Sequence, residues 1–369
     1  MIYLKSFYLW ALCGLPKPQK RIPIVYIMSF TANDGGLIRR LAEIYQNDFA
    51  VFYTPRSKAY AEELAHLGVQ ILPYTPWQLL FRNRIGLLKN AQVILVDNYF
   101  SELSLLKNGQ AVIQLWHAIG AIKKFGWEDP QTQLRGQADR RRFQRVYDQF
   151  TDIVVASEAM GKVFQRSYRV SPEVIRYLGV PKTDELLAQA IESKDSKAAY
   201  ILYAPTYRKT PVQMEAVLKQ ALTVFAQFPE KQFLLKLHPA ATDQSLPLPE
   251  NVRLTTVPLE QLFPQVTLLI TDYSASVFEF LLYKEIPYVL FFVPDKAQYE
   301  QQPGIQDGVW DTVPGGVAPT AEALQEMLKE ETYKNDAKQA RVFHDSWHTY
   351  NDGESINRVL ALVEARKKG

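Results

Sequence analysis

The chain has a single cysteine, Cys13, and so cannot form an internal disulfide. None of its Cys and His spacings resembles a structural zinc site. A reducing, cytosolic compartment is therefore the default expectation. Net charge is small too, because 42 Lys and Arg stand against 39 Asp and Glu. A long apolar run is missing as well. Met1 to Leu15 is aromatic-rich and carries only Lys5, but its apolar part falls short of the ~20 residues that span a bilayer. It also lacks the basic start and the small-residue cleavage site of a secretory signal. No internal repeat or low-complexity segment interrupts the chain.

What is present describes a folded protein. Hydrophobic residues make up 47% and charged residues 22%, with 20 Tyr, 19 Phe and 6 Trp, so extended disorder is excluded. A length of 369 residues suits two domains. Charge is unevenly spread. Residues 1–150 hold 19 Lys and Arg against 11 Asp and Glu, and the remainder 23 against 28. The basic half points to an anionic partner, with an ordinary solvated surface as the alternative. Residues 1–21 are expected to form an amphipathic, membrane-associating helix followed by the basic stretch from Pro16 to Arg21. The alternative is a helix packed onto the body of the protein.

Apolar runs of strand length alternate with helical stretches. Strands are expected at 22–30, 49–53, 69–74, 93–97, 111–116 and 152–156, with helices between them. A second series holds strands at 200–204, 232–237, 266–271 and 288–293, then helices at 320–329, 333–348 and 353–365. This alternation predicts an α/β chain with parallel sheets. Two Rossmann-like halves with a cleft between them follow, at 22–180 and 181–369, divided within 179–197. The last helix is free to cross back to the first half.

Ligands of open α/β sheets bind at the carboxyl ends of strands, and the polar residues of this chain gather there. His117 follows a strand in QLWHAIG, close to Lys123 and Lys124, and suits a general base on a hydroxyl. Lys236 and His238, in LKLHP, share one strand face, where His238 suits a phosphate oxygen or a leaving group. In YAPTYR, Pro205 turns the chain and presents Thr206 and Arg208, whose guanidinium suits bidentate contact with phosphate. In TDYSAS, Ser274 and Ser276 begin a helix and favour an anion, while Asp272 suits capping or orienting a histidine. Asp352, Gly353 and Ser355 form a turn before the last helix that offers further substrate contacts. His344 and His348 are one helical turn apart without the glutamate of a metalloprotease motif, and no metal or other cofactor is expected.

In order, QLWHAIG with KKFG, YAPTYR, LKLHP, LLITDYSASVFEF, IPYVLFFVPDKAQY, VPGG and TYNDGESINRV resemble the CDP-glycerol glycerophosphotransferase family of teichoic acid synthesis. These motifs run through roughly residues 110–360. Two departures, Ala118-Ile119-Gly120 where the family often has Gly-Thr-Pro and Ala275 where it often has a second serine, bear on substrate preference rather than reaction class.

The resemblance implies a GT-B fold, with the acceptor on the first half and CDP-glycerol on the second. It implies transfer of glycerol phosphate to a lipid-linked saccharide, with release of CMP. His117 is then the base, and His238, Arg208, Ser274 and Ser276 hold the pyrophosphate. The compact length suggests the priming step. A polyglycerol- or ribitol-phosphate polymerase or a capsule alditol-phosphate transferase of the same family, a GT-B glycosyltransferase using a nucleotide sugar, and a membrane-associated binding module without activity are the alternatives. The implied location is cytoplasmic, peripheral on the inner membrane face. Nucleic acid is not an expected partner, and a homo-oligomer is compatible with the sequence.

Overall fold

The computed structural model describes residues 2–16, 21–31, 33–107, 109–193, 199–238, 247–283 and 287–368. The expected basic stretch at 17–20 and the expected linker at 194–197 lie outside them. The chain divides into two compact units. Unit 1 is Met1–Ile119, Gly126–Glu185 and Thr349–Gly369, and unit 2 is Gly120–Phe125 and Leu186–His348.

Unit 1 is built on β1 (Ile24–Met28), β2 (Phe49–Tyr53), β3 (Gln70–Pro73), β4 (Val93–Val96), β5 (Ala111–Gln114), β6 (Asp152–Val155) and β7 (Ile175–Tyr177). Every pair is parallel and the order is β3-β2-β1-β4-β5-β6-β7. The sequence runs IVYIM and VILV are buried at every position, as expected for strands covered on both faces. Unit 2 contains β8 (Tyr200–Tyr203), β9 (Phe233–Leu235), β10 (Val252–Leu254), β11 (Val266–Thr271), β12 (Tyr288–Phe292) and β13 (Val317–Ala318). Its order, β10-β9-β8-β11-β12-β13, is again all parallel. Each sheet thus reverses direction once, between β1 and β4 and between β8 and β11. Such reversals open a crevice at the strand ends and are where α/β proteins place ligands.

The predicted α/β class and strand alternation hold. The strands missed by sequence reading, β7, β10 and β13, are three, three and two residues long, too short for a hydrophobic period to register. The helix expected at 333–348 begins at Ala337, after a 3₁₀ segment over Thr332–Asp336.

The main division falls between Glu185 and Leu186 rather than after 180. The units differ from the expected 22–180 and 181–369 in two further places, of which the crossing back of the last helix is one the sequence allows. The helix Ser355–Lys368 belongs to unit 1, because Val359, Leu360 and Val363 join Leu37, Ile38 and Leu41 in its core. Arg366 ties this helix to the buried Asp152 on β6 through Nε at 2.8 Å and Nη2 at 2.7 Å. Residues 120–125 belong to unit 2. Lys123 bridges Ile305, and the Ile122 carbonyl accepts from Gln306 at 2.8 Å. Gly120 lies so close to the Phe278 ring that a side chain there would clash.

The expected helix at the amino terminus exists, over Ile2–Cys13, but it is not amphipathic. Leu12 is buried on one side while Phe7 and Trp10 stand in solvent on another, so the helix is apolar on more than one face. It is held to unit 1 by Tyr8, which donates to Glu102 at 3.1 Å. The largely buried Lys89 ammonium donates to the carbonyls of Leu12, Cys13 and Leu15, satisfying groups that a helix end leaves unpaired.

Asp152 provides a stability test. Burial raises its pKa, but hydrogen bonds from Arg366, Thr151 and Arg176 outweigh that and hold it below the usual carboxylate value. Asp152→Asn removes the charge that joins the last helix to β6. It should cost about 1–3 kcal/mol in urea unfolding; an unchanged midpoint would show that the last helix is held by its apolar face alone.

Candidate active site

Each unit carries a polar cluster at the carboxyl ends of its strands. In unit 1 the centre is His117, three residues past β5. Trp116, just before it, has φ +66, a left-handed conformation that is uncommon for a bulky side chain and needs support. That support comes from both sides: the Trp116 N–H donates to Gln114 Oε1 at 2.8 Å, and its carbonyl accepts from Asn33 Nδ2 at 3.0 Å. Asn33 also donates to Asp34, which accepts from the Tyr26 hydroxyl at 2.6 Å. Burial pushes the Asp34 carboxyl up to about 7.

The imidazole of His117 is packed on two sides. Phe30 stacks on it with ring centroids 4.1 Å apart and planes 7° from parallel, and Trp116 lies 4.2 Å away. Its Nδ1 is 3.2 Å from the Asp97 carbonyl oxygen. A carbonyl only accepts, so Nδ1 carries the proton and Nε2 keeps its lone pair. Burial lowers the His117 pKa to about 4, with the Asp97 carbonyl opposing that shift. The ring is therefore neutral at physiological pH, with one nitrogen able to accept a proton.

Asp97 holds this arrangement together. Its side chain accepts from the Ser29 N–H at 2.7 Å, the Ser29 hydroxyl at 2.7 Å and the Phe30 N–H at 2.8 Å. Burial nevertheless pushes Asp97 up to about 6, against those three bonds. Sequence reading did not select Asp97, Phe30 or Asn33. The usable signal was positional, since Phe30 follows β1 and Asp97 follows β4, the two strands between which the sheet reverses.

In unit 2 the centre is Arg208, which is 4% exposed. Its Nη1 lies 2.8 Å from Asp272, and Nε and Nη2 lie 2.6 and 3.1 Å from the two oxygens of Asp295. Its plane also stands 5.0 Å from the Tyr273 ring. The expected role of Arg208 as a bidentate phosphate donor is thus not what this placement provides, because two carboxylates occupy the guanidinium fork. Burial works to lower its pKa, but Asp272 and Asp295 drive it well above the ordinary value. Among the described residues Asp272 neither caps a helix nor touches a histidine. It accepts from the Thr206 N–H at 2.9 Å and the Tyr273 N–H at 2.6 Å, and so joins the turn after β8 to the turn after β11.

The groups left open around this ion cluster are hydroxyls and an ammonium. Thr206 Oγ1 and Ser276 Oγ are buried without a hydrogen-bond partner among the described residues. The Ser274 hydroxyl accepts from the Ser276 N–H at 3.2 Å, which orders the start of the following helix. Lys123 places its ammonium 5.8 Å from the Tyr299 ring centre. Burial lowers its pKa while Asp272 opposes that shift. On the neighbouring strand end, Lys236 donates to the Thr256 carbonyl at 2.8 Å. His238 is exposed, with the Tyr207 ring 6.0 Å away.

Asp352, Gly353 and Ser355, expected as substrate contacts in the second half, lie in unit 1. Asp352 pairs with Arg358, Gly353 takes φ +89, and the Ser355 N–H donates to Asp184 at 3.1 Å. Their visible work is to start the last helix. His344 and His348 stand with ring centroids 4.9 Å apart. No group of three or more metal-ligating side chains occurs among the described residues.

The chain is 30% identical over 365 residues to the teichoic acid glycerol-phosphate primase of Bacillus subtilis (strain 168), a match covering 94% of this chain and 92% of that protein. It is 27% identical to the primase of Staphylococcus aureus (strain NCTC 8325 / PS 47), covering 98% of each. The solved structure of the wall teichoic acid polymerase TagF shares the two-unit α/β fold with a TM-score of 0.72 and 17% identity, over 99% of this chain and 95% of that one. The CDP-glycerol:poly(glycerophosphate) glycerophosphotransferase family matches residues 30–365, and the chain belongs to that family of transferases.

Proposed function

We propose that the protein transfers glycerol phosphate from CDP-glycerol to a hydroxyl of a lipid-linked saccharide, releasing CMP, as the priming step of wall teichoic acid synthesis. The observation that carries this reading is the His117 imidazole, neutral, stacked on Phe30 and fixed by the Asp97 carbonyl. The acceptor oxygen attacks the phosphorus that bears glycerol. A new O–P bond forms, the bond to the CMP oxygen breaks, and the acceptor proton passes to His117 Nε2. Little covalent work is asked of the protein, since phosphoryl transfer depends on positioning and on charge stabilisation.

The donor's pyrophosphate is assigned to unit 2. Thr206 and Ser276 supply hydroxyls, Lys123 supplies positive charge, and His238 and Lys236 stand at the adjacent strand end. Arg208 acts as an organiser, since its pairs with Asp272 and Asp295 fix the turns that present Thr206 and Ser276. Asp352, Gly353 and Ser355 act through the start of the last helix rather than by touching the donor. The match over nearly the whole length of a glycerol-phosphate primase supports priming rather than polymerisation. We place the enzyme on the cytoplasmic face of the membrane, where a lipid-linked acceptor presents its sugar.

Three results test these roles. His117→Ala should lower turnover by about 10²–10⁴ while CDP-glycerol binding persists. CMP release with CDP-glycerol and CDP-ribitol, each offered with a lipid-linked disaccharide, reads this directly, and near-wild-type turnover would remove His117 as the base. The pH profile follows from the depressed pKa. A neutral His117 is needed, and its value of about 4 keeps it neutral through pH 6. The acid limb of kcat/KM assigned to His117 should therefore lie below pH 6; a limb near the ordinary histidine value would contradict the buried geometry. Finally, Thr206→Val and Ser276→Ala remove hydroxyls that bond nothing among the described residues, so thermal stability should hold or rise. CDP-glycerol affinity should fall about tenfold or more, the scale of a hydrogen bond to a charged group, and unchanged titration calorimetry would take these hydroxyls out of the donor site.

A further inference from the structure

The strand ends of unit 1 carry a cation whose charge no described residue takes up. Arg56 lies in the 3₁₀ turn Pro55–Ser57, just after β2. β2 pairs with β1, so the turn stands beside Phe30 on the sheet edge that also presents Asp97 and His117. The backbone there is fixed. The Thr54 N–H donates to the Met28 carbonyl at 3.0 Å, and the Ser57 N–H closes the turn on the Thr54 carbonyl at 2.9 Å. Pro55 presets φ at the start of the turn.

The Arg56 side chain is exposed, with its guanidinium carbon 5.8 Å from the centre of the Phe30 ring. The same ring stacks on His117 at 4.1 Å. The two distances together keep the guanidinium within about 10 Å of the imidazole centre. Attraction to a ring steadies a cation without satisfying its N–H donors. Arg56 makes no ion pair or side-chain hydrogen bond among the described residues. Asp34 accepts from Tyr26 and Asn33, Asp97 from Ser29 and Phe30, and Glu62 pairs with Lys58, so none of these carboxylates balances it. Arg39 and Arg40, on the helix after β1, are by contrast paired with Glu185 and Glu43. A guanidinium one ring away from a base is placed for an anionic part of the molecule on which that base acts.

We propose that Arg56 binds the phosphate that joins the acceptor saccharide to its lipid. It thereby selects acceptors that carry this anion at a set distance from the reacting hydroxyl. The inference rests on the proposed function, because it takes His117 as the base on that hydroxyl. A span of about 10 Å is that of one or two pyranose rings, which suits a lipid-linked disaccharide. The planar fork of arginine meets two phosphate oxygens at once. Phe30 serves both groups, orienting the imidazole and steadying the guanidinium, and so sets their separation. An arginine that only solvates the surface would not distinguish one acceptor from another.

Affinity needs no turnover, so the two ideas can fail separately. Titration calorimetry of the full chain compares two probes: a disaccharide on a short-chain lipid diphosphate, dispersed without a bilayer, and the same disaccharide as a neutral alkyl glycoside. The wild-type chain should bind the diphosphate probe more tightly. Arg56→Gln should weaken that probe about tenfold or more, the scale of a hydrogen bond to a charged group, and leave the neutral probe and CDP-glycerol unchanged. Arg56→Lys keeps the charge without the fork and should lose part of the preference. If Arg56→Gln disturbs folding, as circular dichroism would show, the lysine variant decides by losing that preference or keeping it whole. The proposal is overturned if the wild-type chain does not prefer the diphosphate probe, or if Arg56→Gln binds it like wild type. It is equally overturned if Arg56→Gln weakens both acceptor probes alike, which would make Arg56 a support for Phe30. Weakened CDP-glycerol binding would overturn it too, by assigning Arg56 to the donor. A diphosphate preference that depends on Arg56, without CMP release on either acceptor, would refute the proposed function and leave Arg56 as a phosphate site.

Discussion

Asp97 is fully buried where β1 and β4 diverge, and its side chain holds the segment leaving β1 by three hydrogen bonds. The same residue's carbonyl accepts from His117 Nδ1. The side chain fixes Phe30, Phe30 supplies the face against which His117 stacks, and the main chain sets the tautomer. Substituting this carboxylate would strand three donors in the interior, a loss larger than that of any one bond. The reversal of the sheet at β1 and β4 makes the space, and Asp97 turns that space into a site with one ring orientation.

Unit 2 reaches an ordered site by a different route. Arg208, Asp272 and Asp295 neutralise one another in the interior and join the turns after β8, β11 and β12. Buried ion pairs of this kind repay their desolvation only with good geometry, and their value here lies in specificity of position rather than in stability. Because these charges are spent on each other, the groups of this cluster without a hydrogen-bond partner among the described residues are the quieter ones, Thr206 Oγ1 and Ser276 Oγ. The two units arrive at the same core strand order without any repeated sequence, since burial on both faces constrains strand composition more loosely than it constrains sheet topology.

Much of this was readable from the chain. The long strands stood out as apolar runs, and the strand-end positions of His117, Thr206, Asp272 and Ser276 follow from where those runs stop. The amino-terminal helix was legible as a helix but not as a surface. Its exposed aromatics look the same in sequence as its buried ones, and only packing tells Phe7 from Leu12. Arg208 illustrates the opposite limit. A strand-end arginine beside hydroxyls reads as a phosphate ligand until Asp295, 87 residues further on, is found occupying its fork.

The sequence by itself determined the class of the fold, the strand ends that carry polar residues and the family, because these depend on local periodicity and on ordered short motifs. Tertiary structure decided which unit owns residues 120–125 and the last helix, and which of the polar groups are spent on one another. The physical reason is range. Backbone pattern is set by neighbours a few residues apart. The bond between Asp152 and Arg366 spans 214 residues, and whether such a charge is paired or open to a ligand is settled only when both arrive at the same place.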